Sequence, residues 1–190
     1  MKGSNFGLIK DLYYHNRAIC YEGREKSNHL YNMQISRNLQ GVNTMNIRKI
    51  TGDKKEYIDL LLLADEQESM IDKYLERGEM FVLDDNGVKA ECVITREADG
   101  IYELKNIAVV PDCHRKGYGK RLIEFLFSHY ADCKTMLVGT GDCHSTLSFY
   151  NICGFTESHR IKNFFIDNYD HPMFEDGKQL IDMVYLKRQR

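Results

Sequence analysis

The residues with the clearest capacity for chemistry lie in one stretch, PDCHRKGYGKRL, at positions 111–122. Basic side chains there surround Gly117 and Gly119, and the apolar residues that follow recur at helical spacing. Where a strand gives way to a glycine-bearing turn and a new helix, free backbone N–H groups and the positive end of the helix dipole favour anions. Charge-assisted hydrogen bonds from the basic groups add about 1.5–3 kcal/mol each. The pattern predicts a site for a pyrophosphate.

Two common nucleotide motifs are excluded by the residues that follow the glycines. A P-loop needs GxxxxGK[ST], but Lys120 is followed by Arg121, which leaves no hydroxyl for magnesium. A dinucleotide fingerprint needs GxGxxG, and no third glycine follows Gly119 at the required position. The pyrophosphate must therefore belong to another kind of ligand.

The surrounding sequence predicts an α/β fold in which helices cover a mixed sheet. The Asn86-Gly87 pair predicts a hairpin between strands at 79–85 and 88–97. Pro111 ends a strand that starts after the turn at Asp99-Gly100. By the same patterns we expect strands at 46–50, 101–110, 135–140 and 181–188, and helices at 53–64, 69–77, from Gly117 onward and at 145–153.

Residues 1–44 differ from the rest in being polar and rich in Asn and Tyr. They contain two helical candidates, Ser4–Ala18 and Ser27–Leu39, each opened by a serine that can act as a cap. We expect an N-terminal extension of unassigned role over 1–44 and a single domain over 45–190. Whether the extension masks a cleft, extends the core or supports a homodimer stays open.

Two segments resemble signatures of the GNAT superfamily of acyl-CoA-dependent N-acetyltransferases, in particular its small bacterial-type members. NIAVVPDCHRKGYGKRLIEFL (106–126) is similar to the cofactor motif, and SFYNICGF (148–155) is similar to the second signature, a Tyr followed four residues later by Gly-Phe. The resemblance covers about residues 45–190. It implies a mostly antiparallel sheet of six to seven strands in the order β-α-α-β-β-β-α-β-α-β-β, acetyl-CoA as cosubstrate and an amine acceptor.

The resemblance also implies roles for individual residues. Strand backbone would bind the pantetheine arm, the following loop would hold the pyrophosphate, and the thioester would lie between the strands at 101–110 and 135–140. His114 stands where the family prefers Gln or Arg, and Asp142 lies in a turn where relatives often carry Asn. The residues assigned in this way to the cofactor are Ile107, Ala108, Val109, His114, Arg115, Lys116, Gly117, Tyr118, Gly119, Lys120 and Asp142.

Direct transfer to an amine requires a base and benefits from an acid. An alkyl amine with a pKa near 10.4 is neutral in only about one molecule in a few thousand at pH 7. Glu103 aligns with the base of some GNAT members, although its strand parity, shared with Lys105, Ile107 and Val109, also fits a solvent-exposed carboxylate. Tyr150 matches the general acid of the family, the alternative being an aromatic packed between helix and sheet.

Composition excludes several other classes. The 26 basic and 28 acidic residues nearly cancel, which disfavours a nucleic-acid partner. No apolar run approaches the roughly 20 residues that span a bilayer, so we expect no membrane partner and a cytoplasmic location. The six cysteines contain no CxxC pair and are expected to be free thiols, and Cys-His pairs at 113–114 and 143–144 are poorly spaced for a metal.

One alternative function remains, a non-catalytic acyl-CoA-binding regulatory module that keeps the pocket without turnover. The acceptor also stays open. The segment 161–179 is expected to be a long connection whose acidic groups either attract a cationic amine or simply face solvent. These groups are Asp167, Asp170, Glu175 and Asp176.

Overall fold

The structure, a computed structural model, describes residues 45–190. The predicted helices Ser4–Ala18 and Ser27–Leu39 lie outside these residues, as does Cys20. The boundary near residue 44 stays a prediction. Among the described residues, no helix is long and apolar enough to cross a membrane.

A mixed seven-stranded sheet organises the described residues, in the spatial order β1-β2-β3-β4-β5-β9-β6. Only β4 and β5 pair in parallel, and every other neighbouring pair is antiparallel. This confirms the predicted α/β class and the mostly antiparallel sheet. The strands of this sheet are β1 Asn46–Ile50, β2 Glu79–Asp84, β3 Val88–Ala98, β4 Ile101–Val109, β5 Thr135–Gly141, β6 Thr156–Ile161 and β9 Met183–Gln189.

Helices cover both faces of this sheet. The helix Tyr118–His129 packs its apolar side against β3 and β4 on one face of the sheet. Its residues Leu122, Ile123 and Leu126 are fully inaccessible to solvent. On the other face Asn106 of β4 bonds to two further helical segments. The helices are α1 Ile58–Leu61, α2 Glu68–Leu75, α3 Tyr118–His129, α4 His144–Ile152 and α5 Phe164–Asn168, with 3-10 turns at Lys54–Tyr57 and Pro111–Cys113.

The hairpin predicted from Asn86-Gly87 is present. Both residues have positive φ, 54° and 100°, as a tight hairpin turn requires. The Gly87 N–H donates to Asp84 Oδ1 at 3.0 Å, and Asp84 pairs with Val88 across the turn. Residues 85–87 therefore connect β2 and β3 next to the start of α3.

Three segments differ from the sequence-based expectation. The helix expected at 53–64 is a 3-10 turn followed by the four-residue α1, and Asp53 caps the turn by accepting from the Lys55 N–H at 2.8 Å. The six residues of strand β6, TESHRI, do not alternate between apolar and polar, so no bounds were predicted for this strand. All six are exposed. The connection expected at 161–179 contains α5 and a small hairpin of β7 Phe174–Glu175 and β8 Lys178–Gln179.

Candidate active site

The sheet opens between β4 and β5. These parallel strands pair only from Ile101 to Leu104 and from Thr135 to Val138, whereas β4 continues to Val109 and β5 to Gly141. Beyond the last pair the facing backbone edges of the two strands are not paired with each other, and we call this opening of the sheet the cleft. Residues 107–109 pair with β3 on their other side, so alternate backbone groups of β4 face the cleft. The structure thus brings the predicted pantetheine strand, Ile107 to Val109, to the cleft edge.

A β-bulge at Lys105 sets the direction of the side chains along this edge. Ile94 lies opposite Leu104 and Val93 lies opposite Asn106, so Lys105 is one extra residue in β4. The bulge reverses the alternation, and Glu103 therefore shares a face with Asn106 and not with Ile107. The strand parity assumed from the sequence was wrong for this reason.

The loop between β4 and α3 has the backbone of an anion site. Arg115 and Gly117 adopt left-handed conformations with φ of 60° and 86°, and α3 begins at Tyr118. The backbone N–H groups of residues 115–120 find no acceptor elsewhere in residues 45–190. A Cβ added at Gly117 would meet nothing within 4 Å. Successive free N–H groups at a helix start form a concave donor surface for phosphate oxygens.

Three basic side chains of this loop are available to such an anion. Arg115, Lys116 and Lys120 are exposed, and none forms an ion pair with a described residue. His114 is differently engaged, because its Nε2 lies 2.9 Å from the Val109 carbonyl oxygen and donates to it. The His114 ring therefore holds the loop against the end of β4.

Two loop residues assigned to the cofactor, Tyr118 and Gly119, have packing roles in addition to their free backbone N–H groups. Tyr118 is buried, and its hydroxyl donates to Asp85 Oδ2 at 2.5 Å, which ties the start of α3 to the β2–β3 turn. A Cβ added at Gly119 would lie 3.0 Å from the Phe149 ring of α4. Gly119 thus permits close approach of α3 and α4, and Gly117 alone opens the loop surface.

Glu103 lies at the apex of the cleft in a polar cluster. It is 8% exposed, and its Oε1 accepts from the Tyr185 hydroxyl at 3.0 Å and pairs with Lys105 Nζ at 2.8 Å. Lys105 Nζ also lies 3.7 Å from Glu97 Oε1. The solvated-carboxylate alternative does not fit this burial. Glu103, Lys105 and Tyr185 form what we call the apex cluster.

Sequence reasoning missed both partners of Glu103. Tyr185 belongs to β9, two strands away, and its ring crosses Gly139, where an added Cβ would lie 3.3 Å from the ring. Burial and the Glu103 charge raise the pKa of the Tyr185 phenol, so it remains a donor at neutral pH. The alternation of side chains along β9 could have indicated the position of Tyr185, since Val184 and Leu186 point to the core and Tyr185 to the opposite face.

Tyr150 lies on α4 and is 5% exposed. Its ring packs against Phe149 and Phe155, with centroids 5.1 and 5.6 Å away. Its hydroxyl has no hydrogen-bond partner within the described residues. Burial raises the pKa of this phenol, with smaller effects from Cys153 and Glu175. Tyr150 is therefore both packed and protonated, with a hydroxyl able to donate to a ligand.

Asp142 is committed to an ion-pair cluster and not to the anion loop. Its carboxylate lies 3.1 Å from Arg160 and 3.3 Å from Lys178. These cations, Arg160 first, hold the pKa of Asp142 below its usual value. Its side chain therefore joins the end of β5 to β6 and β8, and a contact of Asp142 with the cofactor stays a prediction.

The acidic hairpin formed by β7 and β8 docks on the start of α4. Asp176 Oδ2 accepts from Cys143 Sγ at 3.0 Å and from Ser145 Oγ at 2.7 Å, and Glu175 accepts from Thr146 Oγ1. Negative charge at a helix N-terminus is favourable. These two carboxylates are thus engaged structurally, which weakens the expectation that the segment serves to attract a cationic amine.

Comparison with known proteins decides the family. Residues 76–157 match the family described as Acetyltransferase (GNAT) domain. The chain is 38% identical over 137 residues to the uncharacterized N-acetyltransferase YvbK of Bacillus subtilis, covering 69% of this chain and 87% of that protein. The chain belongs to the GNAT acetyltransferase family. The cleft, the anion loop and Tyr150 are accordingly its candidate active site.

Solved GNAT structures share this architecture. A Bacillus subtilis acetyltransferase in complex with CoA is 32% identical, with a TM-score of 0.70 over 77% of this chain and 99% of that one. A GNAT acetyltransferase from Elizabethkingia anophelis with acetyl-CoA bound is 31% identical, with a TM-score of 0.73 over 78% of this chain and all of that one. The split sheet and the loop before α3 thus belong to a fold that holds these ligands in relatives.

Proposed function

We propose that this GNAT protein transfers an acetyl group from acetyl-CoA directly to a primary amine within a ternary complex. The observation that carries the proposal is the open edge of β4, which ends in a loop of unpaired backbone N–H groups. That arrangement matches a ligand with an amide-bearing arm and a diphosphate. The acetyl-CoA and CoA complexes of the two relatives support the choice.

Each part of acetyl-CoA has a counterpart in the site. The diphosphate would accept from the N–H groups of 115–120, with Arg115, Lys116 and Lys120 supplying charge. The pantetheine amides would bond to backbone groups of 107–109, as an added strand does at a sheet edge. The thioester would then lie near the apex cluster, where the β4–β5 pairing ends.

The chemistry follows from two proton movements. Glu103, directly or through a water, takes a proton from the acceptor ammonium, and the neutral nitrogen attacks the thioester carbonyl carbon. The C–N bond forms, the C–S bond breaks, and the departing sulfur takes a proton from the Tyr150 hydroxyl. The second proton that the nitrogen loses on becoming an amide then returns Tyr150 to its protonated form. The products are an N-acetyl amine, CoA thiol and one proton carried to solvent by Glu103. No cysteine needs to act.

Binding of acetyl-CoA is the first test of the proposal. Calorimetry is expected to show saturable binding, and replacing Arg115 and Lys116 together by Ala should weaken it by about tenfold per charge, because each charged hydrogen bond contributes about 1.5–3 kcal/mol and exposure reduces it. The same affinity should fall with added salt.

Lys134→Ala is the matched control, since this exposed lysine lies at the opposite end of β5. It should bind acetyl-CoA as the parent does. No heat at millimolar acetyl-CoA would rule out the proposed cosubstrate. Binding without thiol release on a broad panel of amines would instead favour a regulatory acyl-CoA-binding module.

A further inference from the structure

Three buried oxygen atoms lack a hydrogen-bond partner within residues 45–190. They are both carboxyl oxygens of Glu91 on β3 and the amide oxygen of Asn106 on β4. Glu91 is 0% exposed and Asn106 3%. A buried polar atom without a hydrogen bond is destabilising, and a charged one more so. Three such atoms in two side chains require a physical explanation.

The two side chains are neighbours. Glu91 lies opposite Ala108 and Val93 lies opposite Asn106, so Glu91 and Asn106 are diagonal partners on one face of the β3–β4 pair. Side chains in diagonal positions of an antiparallel pair are within reach of each other when they are long. The pair lies just beyond the bulge at Lys105, under α1 and α2.

The orientation of the Asn106 amide is determined by its other partners. Its Nδ2 donates to the Leu61 carbonyl oxygen at 3.1 Å and to the Tyr74 hydroxyl at 2.9 Å. Leu61 O can only accept, so the amide nitrogen must face it. The Asn106 amide oxygen therefore faces away from Leu61 and needs a donor from elsewhere.

No positive charge faces Glu91. Among the described residues it has no Lys, Arg or His partner, and the titratable groups near it are Tyr74 on α2 and Cys92 on its own strand, with Asp65 and Tyr169 beyond Tyr74. All of these are neutral or acidic. Burial raises the pKa of the Glu91 carboxyl well above its usual value, and the opposing effect of the nearby Ala108 backbone N–H is smaller.

We propose that Glu91 is a neutral carboxylic acid that donates its O–H to the Asn106 amide oxygen and thereby positions the β4 segment that lines the cleft. A protonated carboxyl supplies a donor for the Asn106 amide oxygen, which has none among the described hydrogen bonds. Asn106 then links β3, α1 and α2, and it directly precedes residues 107–109. Glu91 is a positioning residue, and its effect on acetyl-CoA rests on the proposed function.

Stability against pH tests the protonation state. An acid whose pKa is raised on folding gives stability that is fully present below the unfolded pKa, about 4.3, and is lost as pH rises toward the folded pKa. Glu91→Gln removes this loss because its amide N–H₂ donates without titrating. The melting temperature of the variant minus that of the parent should therefore rise steadily from pH 5 to pH 9.

A difference that falls with pH would show that Glu91 is ionised in the folded protein and would overturn the proposal. An infrared difference spectrum between the parent and Glu91→Gln gives a direct reading at pH 7. It should contain the C=O stretch of a protonated carboxyl in the parent. A carboxylate band in its place would overturn the proposal as well.

Acetyl-CoA affinity tests the positioning role. Glu91→Gln should bind within about twofold of the parent, whereas Glu91→Leu, which leaves the Asn106 oxygen without a donor, should bind about fivefold more weakly or worse. Equal affinity of the Leu variant would remove the positioning role. If that variant does not fold, the Gln variant and the infrared band still decide the protonation state. Absence of binding by the parent would instead contradict the proposed function.

Discussion

Tyr150→Phe is expected to lower kcat for acetyl transfer by about 10²-fold while leaving acetyl-CoA affinity within about twofold, because an acid of this kind contributes roughly 10²–10⁴-fold to the chemical step. The hydroxyl has no partner within the described residues, and burial keeps the phenol protonated by raising its pKa. Its loss should therefore leave the packing against Phe149 and Phe155 intact. Thiol release measures kcat, and calorimetry measures affinity.

Tyr130→Phe is the matched control. This tyrosine is also partly buried, and its hydroxyl donates to Glu79 Oε2 at 2.9 Å at the far end of α3. Its removal should lower the melting temperature and leave thiol release per folded enzyme unchanged. Equal kcat for the parent and Tyr150→Phe would remove Tyr150 from the mechanism and leave it as a packing residue.

Local signals were sufficient for the β2–β3 hairpin and for the turn between β4 and α3. The Asn86-Gly87 pair has one favoured structure, and the hairpin forms as predicted. Pro111 and Gly117 likewise mark the end of β4 and the start of α3, since each restricts or frees φ in a way that other residues do not. Turn chemistry is local, so a single sequence can reveal it.

The bulge at Lys105 could not be predicted in the same way. Nothing in ELKNIAV distinguishes an extra residue from regular alternation, because the register is set by pairing with β3. The shift decides that Glu103 lies with Asn106 on the face opposite α3. The register between these two neighbouring strands therefore determines which face carries the candidate base.

The partners of the site residues were hidden for a related reason. Tyr185 reaches Glu103 from 82 positions further along the chain. Asp85 accepts a hydrogen bond from Tyr118, which lies 33 positions further along the chain. Asp142 forms ion pairs with Arg160 and Lys178. The family resemblance made Glu103 and Tyr118 candidates, but only the fold shows that each of them already has a hydrogen-bond partner.

Glu103→Gln is expected to lower kcat/KM for an alkyl amine by about 10²-fold at pH 7, because the variant keeps the shape and hydrogen-bonding atoms of the side chain but cannot take the acceptor's proton. The deficit should shrink as pH approaches the amine pKa, near 10.4, where the acceptor is increasingly neutral and needs no base. A pH series of thiol release with saturating acetyl-CoA measures both effects.

Glu97→Gln is the control that distinguishes loss of the base from a change in the charge around it. Glu97 is the second carboxylate facing Lys105, at 3.7 Å, but it bonds to Arg77 and Thr95 instead of Tyr185. Its replacement disturbs the charge around Lys105 and leaves Glu103 in place, so kcat/KM should change by about threefold at most, as for a partly exposed ion pair. If Glu103→Gln kept a constant deficit at every pH, its role would be positional, because the loss of a base must become unimportant once the amine is neutral.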